Sequence, residues 1–566
     1  MADDASDSGS EFGDLIDQLI AERAQGLGVD NQSDISVSTV HTADLSDFDS
    51  EVEIDSSESD AEVDSDAEWV DIIEDFEKEP FESEFGPTMP LGLDAKPVEY
   101  FLQLFPETLF QKIKEETERY AHQQGAATFT TSVAEIKAYL GMLFLMGVVQ
   151  LPSYRHYWSK NPVLRQHSIA SVMPRNRYEL LTKYFHLNDS TKNPARNFPG
   201  HDKLHKVRPV LDNAKKKFPR HYKPHKNVAV DEAMIKFKGR CSFLQYIPSK
   251  PCKWGIKAWA IADSESFYLV DFNIYTGKDV NCVNNVPLGT RVVCDLVKPL
   301  YKKFHHVYFD NFFTSVQLLE ALLRKKTYAC GTVRLNRRGL PVGIKTCKLK
   351  NSGEMKKMQK GKLMAVTWCE KKRQVSVLST ANSVGNIQLT RHGKRGQPDV
   401  TYPKPTAIQM YTDNYNGVDK SDQLRSYYGI ANKAKKWWKY LFWFMADVSL
   451  INAYILHVEA PGGPRPKPMS HLDFHLAVAT GLINGFSSRK RTSEISVQPP
   501  VIKKPVNHEP SKITTKRGVR NCVVCASGPD RTSSGHKVQT SWECVRCQVA
   551  LCREKSCFAK FHNYQN

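Results

Sequence analysis

The sequence predicts a multidomain α+β protein. It has an acidic disordered N-terminus, an all-helical domain split in two, a mixed α/β core with a strand-rich insertion, and a metal-folded C-terminal domain. Three observations carry that expectation. Residues 1–86 are acidic and poor in contiguous apolar side chains. The apolar period switches from three-to-four to two near residue 226, and helical spacing returns after 405. Cysteine and histidine crowd the segment 521–566.

The charge is divided as sharply as the pattern. Residues 1–86 hold 28 Asp/Glu and two basic residues, Arg23 and Lys78, a net of −26. The other 480 hold 76 Lys/Arg against 34 Asp/Glu, a net of +42. A body that basic implies a polyanionic partner, DNA or RNA. The acidic segment cannot bury enough apolar surface to offset its ordering entropy, so 1–86 is expected to be disordered. Its charge suits competition with DNA for the basic surface, and its patch Trp69–Phe76 suits docking on a partner. Met1–Ser10 lacks the apolar core of a signal peptide. The longest apolar stretch, Trp437–Leu456, is interrupted by Lys439, Asp447 and Asn452, so no membrane span is expected. The 13 cysteines then read as thiols and metal ligands rather than disulfides.

Between residues 87 and 225, Val98–Leu104, Leu109–Tyr120, Val133–Leu151, Met173–Leu187 and Lys203–Phe218 repeat apolar residues at helical spacing. The core then begins, as 226–336. Val228–Asp231, Trp254–Asp263 and Ser266–Gly277 read as strands, the last two joined by a turn at 263–266. Helix Thr290–Phe304, buried strand Val307–Asp310, helix Ser315–Lys326 and strand Thr327–Leu335 follow. Three antiparallel strands and then helix-linked parallel ones make a mixed sheet, the ribonuclease H-like arrangement. Residues 337–405, rich in Lys, Arg and Gly, read as a strand-rich insertion that contacts DNA. The core resumes at 406–429, and 430–485 returns to helix with Asn432–His457 and Leu472–Leu482. Residues 486–520 form a basic linker whose Arg489–Arg491 and Lys503–Lys504 suit a nuclear-import address.

Four acids fall where this order can use them. Asp231 lies on the first strand and Asp310 ends the fourth. Asp419 and Asp422 share one face of the helix Gly417–Tyr428. Phosphoryl transfer needs an activated attacking oxygen and a stabilised leaving oxygen. Two Mg²⁺ (or Mn²⁺) ions held by hard carboxylates supply both. Asp231, Asp310 and Asp419 are the expected ligands, with Asp422 ligating or supporting. Glu232 points to the other side of its strand and reads as structural.

The motifs KVRPVLD (206–212), YKPHKNVAVDEAM (222–234), VYFDNFFTS (307–315) and NGVDKSDQ (416–423), with the cysteine-rich tail, resemble the piggyBac transposase and piggyBac-derived family. The resemblance runs from about Tyr100 to His562. It implies a nuclear cut-and-paste DNA transposase whose triad falls on Asp231, Asp310 and Asp419, with a further acid at Asp422. It also implies integration at TTAA, terminal-repeat DNA as partner, and a homodimer. A domesticated DNA-binding or chromatin protein without transposition is the alternative, and a cellular metal-dependent nuclease would share the site.

The tail reads Cys522-x2-Cys525, His536, Cys544-x2-Cys547, Cys552, Cys557, His562. Two CxxC pairs followed by closely spaced Cys and His are a zinc pattern. Eight ligands would serve two interleaved tetrahedral Zn²⁺ sites. His536 has the loosest spacing of the eight. By resemblance, this domain reads the element's ends.

Overall fold

The computed structural model describes residues 68–488 and 510–563, except 72, 93, 197, 249–252, 278–285, 382–383, 393–397, 460–468, 515–517, 528–531, 546 and 554–555. The chain divides into two compact units, 1–489 and 490–566. The disorder expected of residues 1–67 lies outside the described residues, as does most of the basic linker.

Among the described residues, five α-helices of eight residues or more precede the sheet: α1 (Pro97–Leu104), α2 (Glu107–Gln123), α3 (Val133–Val148), α4 (Arg175–Tyr184) and α5 (Arg208–His221). Their starts follow local chemistry. Pro97 occupies the first turn of α1, and Ser132 caps α3 by accepting the Glu135 N–H. The core then runs β1 (Asn227–Lys236), β2 (Leu244–Tyr246), β3 (Trp254–Asp263), β4 (Leu269–Ile274), α6 (Leu288–Val297), β5 (His306–Phe309), α7 (Val316–Arg324) and β6 (Tyr328–Thr332). The expected strands and helices are present: β1 runs on to Lys236, β3 keeps the expected bounds, β4, α7 and β6 are shorter than expected, and β2 is an addition.

The insertion is built differently from the expectation. Strands β7 (Met355–Lys360), β8 (Leu363–Glu370) and β9 (Arg373–Ser379) do not form a module of their own. β9 pairs antiparallel with β6, so all three extend the central sheet. The result is nine strands in the order β2-β3-β1-β5-β6-β9-β8-β7, with β4 on the free side of β3. Strands β1, β5 and β6 are parallel, and every other pair is antiparallel. Within the described residues of the insertion, the hairpin β10 (Asn386–Arg391) and β11 (Val400–Pro405) stands apart from it.

After the sheet come α8 (Thr406–Asn414), α9 (Gly417–Tyr428), α10 (Trp437–Val458) and α11 (His471–Ile483). Helix α10 is long and apolar enough to cross a membrane, yet its apolar window is wholly buried. It packs on α1, α5 and α11, so the helical domain closes from both ends of the chain around it.

Residues 68–87 correct the boundary drawn at 86. They lie docked along the first unit as an extended strap. Val70 bridges to Gln359 on the edge strand β7, and Trp69 Nε1 donates to the Gly339 carbonyl at 2.9 Å. Asp71 pairs with Lys356 and Glu84 with Lys223, while Phe81 and Phe85 lie against His305 and His225. Acidity dominates the composition of this stretch, but its aromatic residues find an apolar and basic surface within the same chain.

One buried ion pair ties the start of β1 to the end of β3. Asp263, fully buried, accepts from the His225 backbone N–H at 2.6 Å and contacts its ring Nδ1 at 2.9 Å. Burial disfavours the charged ring, but the Asp263 carboxylate outweighs it and raises His225 to about 9. A histidine raised on folding contributes stability that is complete below its unfolded value, about 6.5, and is lost as pH rises to 9. The shift corresponds to about 3 kcal/mol at most. Thermal melts of the wild type should therefore decline between pH 6.5 and 9. His225→Gln should be less stable at pH 6 and flatter across that window. A residual slope from Glu459, which burial pushes up to about 8, should remain. A wild-type slope unchanged in the variant would remove His225 as its source.

Candidate active site

The parallel pairing of β1 and β5 places two of the predicted acids side by side. Val230 faces Phe309 in register at the end of the parallel ladder, so Asp231, midway along β1, and Asp310, just past β5, come next on adjacent strands. Side chains alternate along a strand, so Asp231 shares a face with Ala229 and Ala233. Helix α9 sits on that same face. A Cβ at Gly417 would lie 3.2 Å from the Ala229 Cβ and 2.9 Å from the Asp263 carbonyl oxygen, so only glycine permits this approach. Asp419 follows in the first turn of α9. Tyr308, one pleat before Asp310, shares a buried cluster with Ala407 and Ile408 of α8.

A pair of tyrosines that the sequence reading passed over lies within electrostatic reach of the three acids. Tyr411 and Tyr415 stack with ring centroids 5.1 Å apart and planes 14° from parallel. Burial pushes the Tyr411 phenol up, and the Asp310 and Asp231 charges push it further. Burial also raises Tyr415, followed by the charges of Asp419 and Asp231. Tyr411 is thus within electrostatic reach of Asp310 and Asp231, and Tyr415 of Asp419 and Asp231. Both phenols stay protonated beside the acids, and the Tyr411 hydroxyl stands 3.5 Å from Thr332 Oγ1. Two tyrosines at i and i+4 on an amphipathic helix look like ordinary core in a sequence, which is why they were missed.

Each acid is also locally oriented. Asp231 Oδ1 accepts the Glu232 N–H at 2.7 Å. Asp310 Oδ1 accepts the Phe312 N–H at 2.9 Å, a turn in which an aspartate bonds the backbone two residues on. The loop after it is pinned from the β6 side. Arg334 donates to the Asn311 side chain at 3.0 Å, and Arg337 to the Phe312 carbonyl at 2.7 Å. Glu232 is turned away and pairs with Lys257 at 2.6 Å. Asp422 sits one turn beyond Asp419, bonded by Arg425 at 3.2 Å. The donor set of three aspartates from two adjacent strands and one helix fits a hard divalent cation.

In the second unit, Cys522, Cys525, Cys552 and Cys557 gather in one buried group, and Cys544, Cys547 and His562 in another. Ligand pairs therefore alternate between groups, as expected of an interleaved fold. Cys525 Sγ lies 4.0 Å from Cys552 Sγ and 3.4 Å from Cys557 Sγ. Such distances suit thiolates about 2.3 Å from one zinc ion. Burial opposes ionisation of Cys522, but backbone N–H groups, with Cys552 N at 3.4 Å, lower it to about 7. Cys552, beside it, is pushed up to about 11 by burial and by its neighbours. The second group has His562 Nε2 at 3.7 Å from Cys547 Sγ, with Nδ1 held 2.7 Å from the Phe558 carbonyl. His536 corrects the eight-ligand expectation. It is exposed, outside both groups, in a turn closed by its backbone bonds to Thr532. The unit also starts before 521, because Pro510–Lys512 pairs with Trp542–Cys544.

Residues 96–454 match the family model described as Transposase IS4, which places the chain in the transposase class. More particularly, the chain belongs to the piggyBac-type transposase family. It is 28% identical over 383 residues to PiggyBac transposable element-derived protein 2 of Homo sapiens, a match covering 64% of this chain and 62% of that protein. It is 25% identical over 480 residues to PiggyBac transposable element-derived protein 3 of Homo sapiens, covering 81% and 75%. The solved piggyBac transposase synaptic complex with hairpin DNA superposes with a TM-score of 0.63 at 25% identity, covering 84% of this chain and 100% of that one.

Proposed function

We propose that this chain is a DNA transposase that cuts an element from double-stranded DNA and inserts it at TTAA, acting in the nucleus as a homodimer. The observation that carries the reading is the β1–β5 register, which sets Asp231 and Asp310 on adjacent strands, together with the close approach of Gly417 to Ala229, which lays the helix of Asp419 against β1. Two Mg²⁺ or Mn²⁺ ions, held by these acids, would supply the activation of the attacking oxygen and neutralisation of the leaving one. The chain's own contribution is rigid placement. Adjacent strands β1 and β5 carry Asp231 and Asp310 at the end of their parallel ladder, and Gly417 lets α9 lie close against β1 with Asp419 in its first turn. Tyr411 and Tyr415 stack within electrostatic reach of the acids, and Arg334 and Arg337 fix the loop after Asp310. The +42 body holds the phosphate backbone, an attraction that weakens with salt. Two Zn²⁺ ions would fold the tail, with Cys522, Cys525, Cys552 and Cys557 at one site and Cys544, Cys547 and His562 at the other. The tail would read the element's terminal repeats.

A second reading is a domesticated DNA-binding protein, favoured by relatives that bear the name transposable element-derived proteins. An excision and integration assay with the gene's own flanking DNA separates the two. Clean excision with reinsertion at TTAA supports the transposase. Specific DNA binding without excision supports the second reading.

A further inference from the structure

A backbone N–H orients each of the two strand-borne acids: Glu232 donates to Asp231 Oδ1 at 2.7 Å, and Phe312 to Asp310 Oδ1 at 2.9 Å. The side chains of those two donors share one cation. Lys257 Nζ pairs with Glu232 Oε2 at 2.6 Å, and it lies over the Phe312 ring, 5.0 Å from the centroid. Lys257 stands on β3 two residues before Trp259, which faces Glu232 in register, so all three share one face of the sheet. The ammonium is itself held in place, because it also lies 5.5 Å from the ring centroid of the buried Trp259. Phe312 is fixed from two further sides. Arg337 donates to its carbonyl at 2.7 Å, and a Cβ at Gly289, in the first turn of α6, would come within 3.2 Å of that same oxygen.

A cross-strand ion pair on a sheet face ordinarily adds a little stability and nothing more. Two features set this one apart. Its third member comes from the loop after Asp310 rather than from the sheet, and both residues it joins carry the N–H that orients an acid. With Lys257 only 14% exposed, the ammonium is also poorly placed to meet a phosphate. We propose that Lys257 is a positioning residue: a clasp between β1 and the loop after β5 that holds the donors of Asp231 and Asp310 in fixed relation. Carboxylates that share a metal need such support, since small errors in their placement weaken binding. The proposal rests on the reading of Asp231, Asp310 and Asp419 as a metal site. Charge alone predicts something different. Removing a nearby cation would strengthen binding of a divalent metal, and removing the Glu232 charge would weaken it. A clasp predicts that both losses weaken it.

The test is Mn²⁺ titration calorimetry on the full zinc-loaded chain, alongside thermal melts and gel shifts with DNA. Lys257→Met, which keeps the packing and removes the charge, should weaken Mn²⁺ by about tenfold to a hundredfold, the usual cost of losing a ligand's support. Lys257→Arg should recover most of that loss, because a guanidinium can pair with Glu232 and stack on the rings. Glu232→Gln should also weaken Mn²⁺, and the double variant Lys257→Met/Glu232→Gln should be no weaker than Lys257→Met alone. DNA affinity should stay near wild type throughout. Unchanged or tighter Mn²⁺ binding in a folded Lys257→Met overturns the proposal, and so do fully additive losses in the double variant. Lost DNA affinity with wild-type Mn²⁺ binding overturns it too, and makes Lys257 a phosphate contact. Should Lys257→Met fail to fold, Glu232→Gln decides, and wild-type Mn²⁺ affinity there overturns the proposal. Equal Mn²⁺ binding by wild type and Asp310→Asn would instead overturn the underlying reading of the site.

Discussion

Asp310→Asn is expected to lower strand cleavage by more than about 10³-fold, roughly 4 kcal/mol of transition-state stabilisation, while DNA binding and thermal stability stay near wild type. The asymmetry follows from where Asp310 sits. Its carboxylate ends a buried strand but is itself half-buried, and the amide that replaces it can still accept the Phe312 N–H. What is lost is a negative charge shared with Asp231 and Asp419. Asp231→Asn should behave alike, and the two losses should not add, because the acids act as one unit. Gel-shift affinity and metal-dependent nicking, measured on the same preparations, check this. A variant that cleaves within a few-fold of wild type would remove Asp310 from the chemistry.

The second large effect is expected in the tail. Its apolar core is small, made by the cysteines themselves with Leu551 and a few half-buried neighbours such as Val549, Phe558 and Phe561. A core that size cannot offset the ordering entropy of the segment. Zinc would supply the difference, with binding on the order of 10 kcal/mol per structural site. Cys525→Ser, or chelation, should therefore unfold residues 510–563 and release two zinc ions. Recognition of specific DNA ends should go with it, and the first unit should still melt cooperatively. His536→Ala should leave the zinc content unchanged, because the ring stands outside both groups. Zinc content by mass spectrometry and tryptophan fluorescence at Trp542 measure both outcomes. One zinc lost in His536→Ala would reinstate it as a ligand.

Local chemistry explains which parts of the architecture could be read in advance. Helix α9 begins and ends where expected, because Gly417 opens it and Gly429 follows its last turn. Asp310 was legible because a short apolar run ends on it, and Asp231 because it interrupts an alternating one. The joining of β7, β8 and β9 to the sheet was not legible. Period two marks a strand but does not name its partner, and β6 meets β9 across more than 40 residues. Tyr411 and Tyr415 were hidden for a related reason, since their importance lies in what approaches them from other segments. The strap 68–87 was misjudged because composition averages over a stretch. Its acids hid Trp69, Phe81 and Phe85, each of which has a specific resting place. His225 was quoted within a motif without a role, and only the fold brings it to Asp263. For His536 the error runs the other way: spacing offered a ligand, and a tight turn with Thr532 removes it.

The account stands on three aspartates forming one divalent-metal site. Crystals of the full chain soaked in Mn²⁺, measured for anomalous scattering at the manganese edge, test this without needing the DNA ends. The account predicts manganese peaks coordinated by Asp231, Asp310 and Asp419, with Asp422 still bonded to Arg425. Manganese bound elsewhere, with these three carboxylates left without metal, would contradict it.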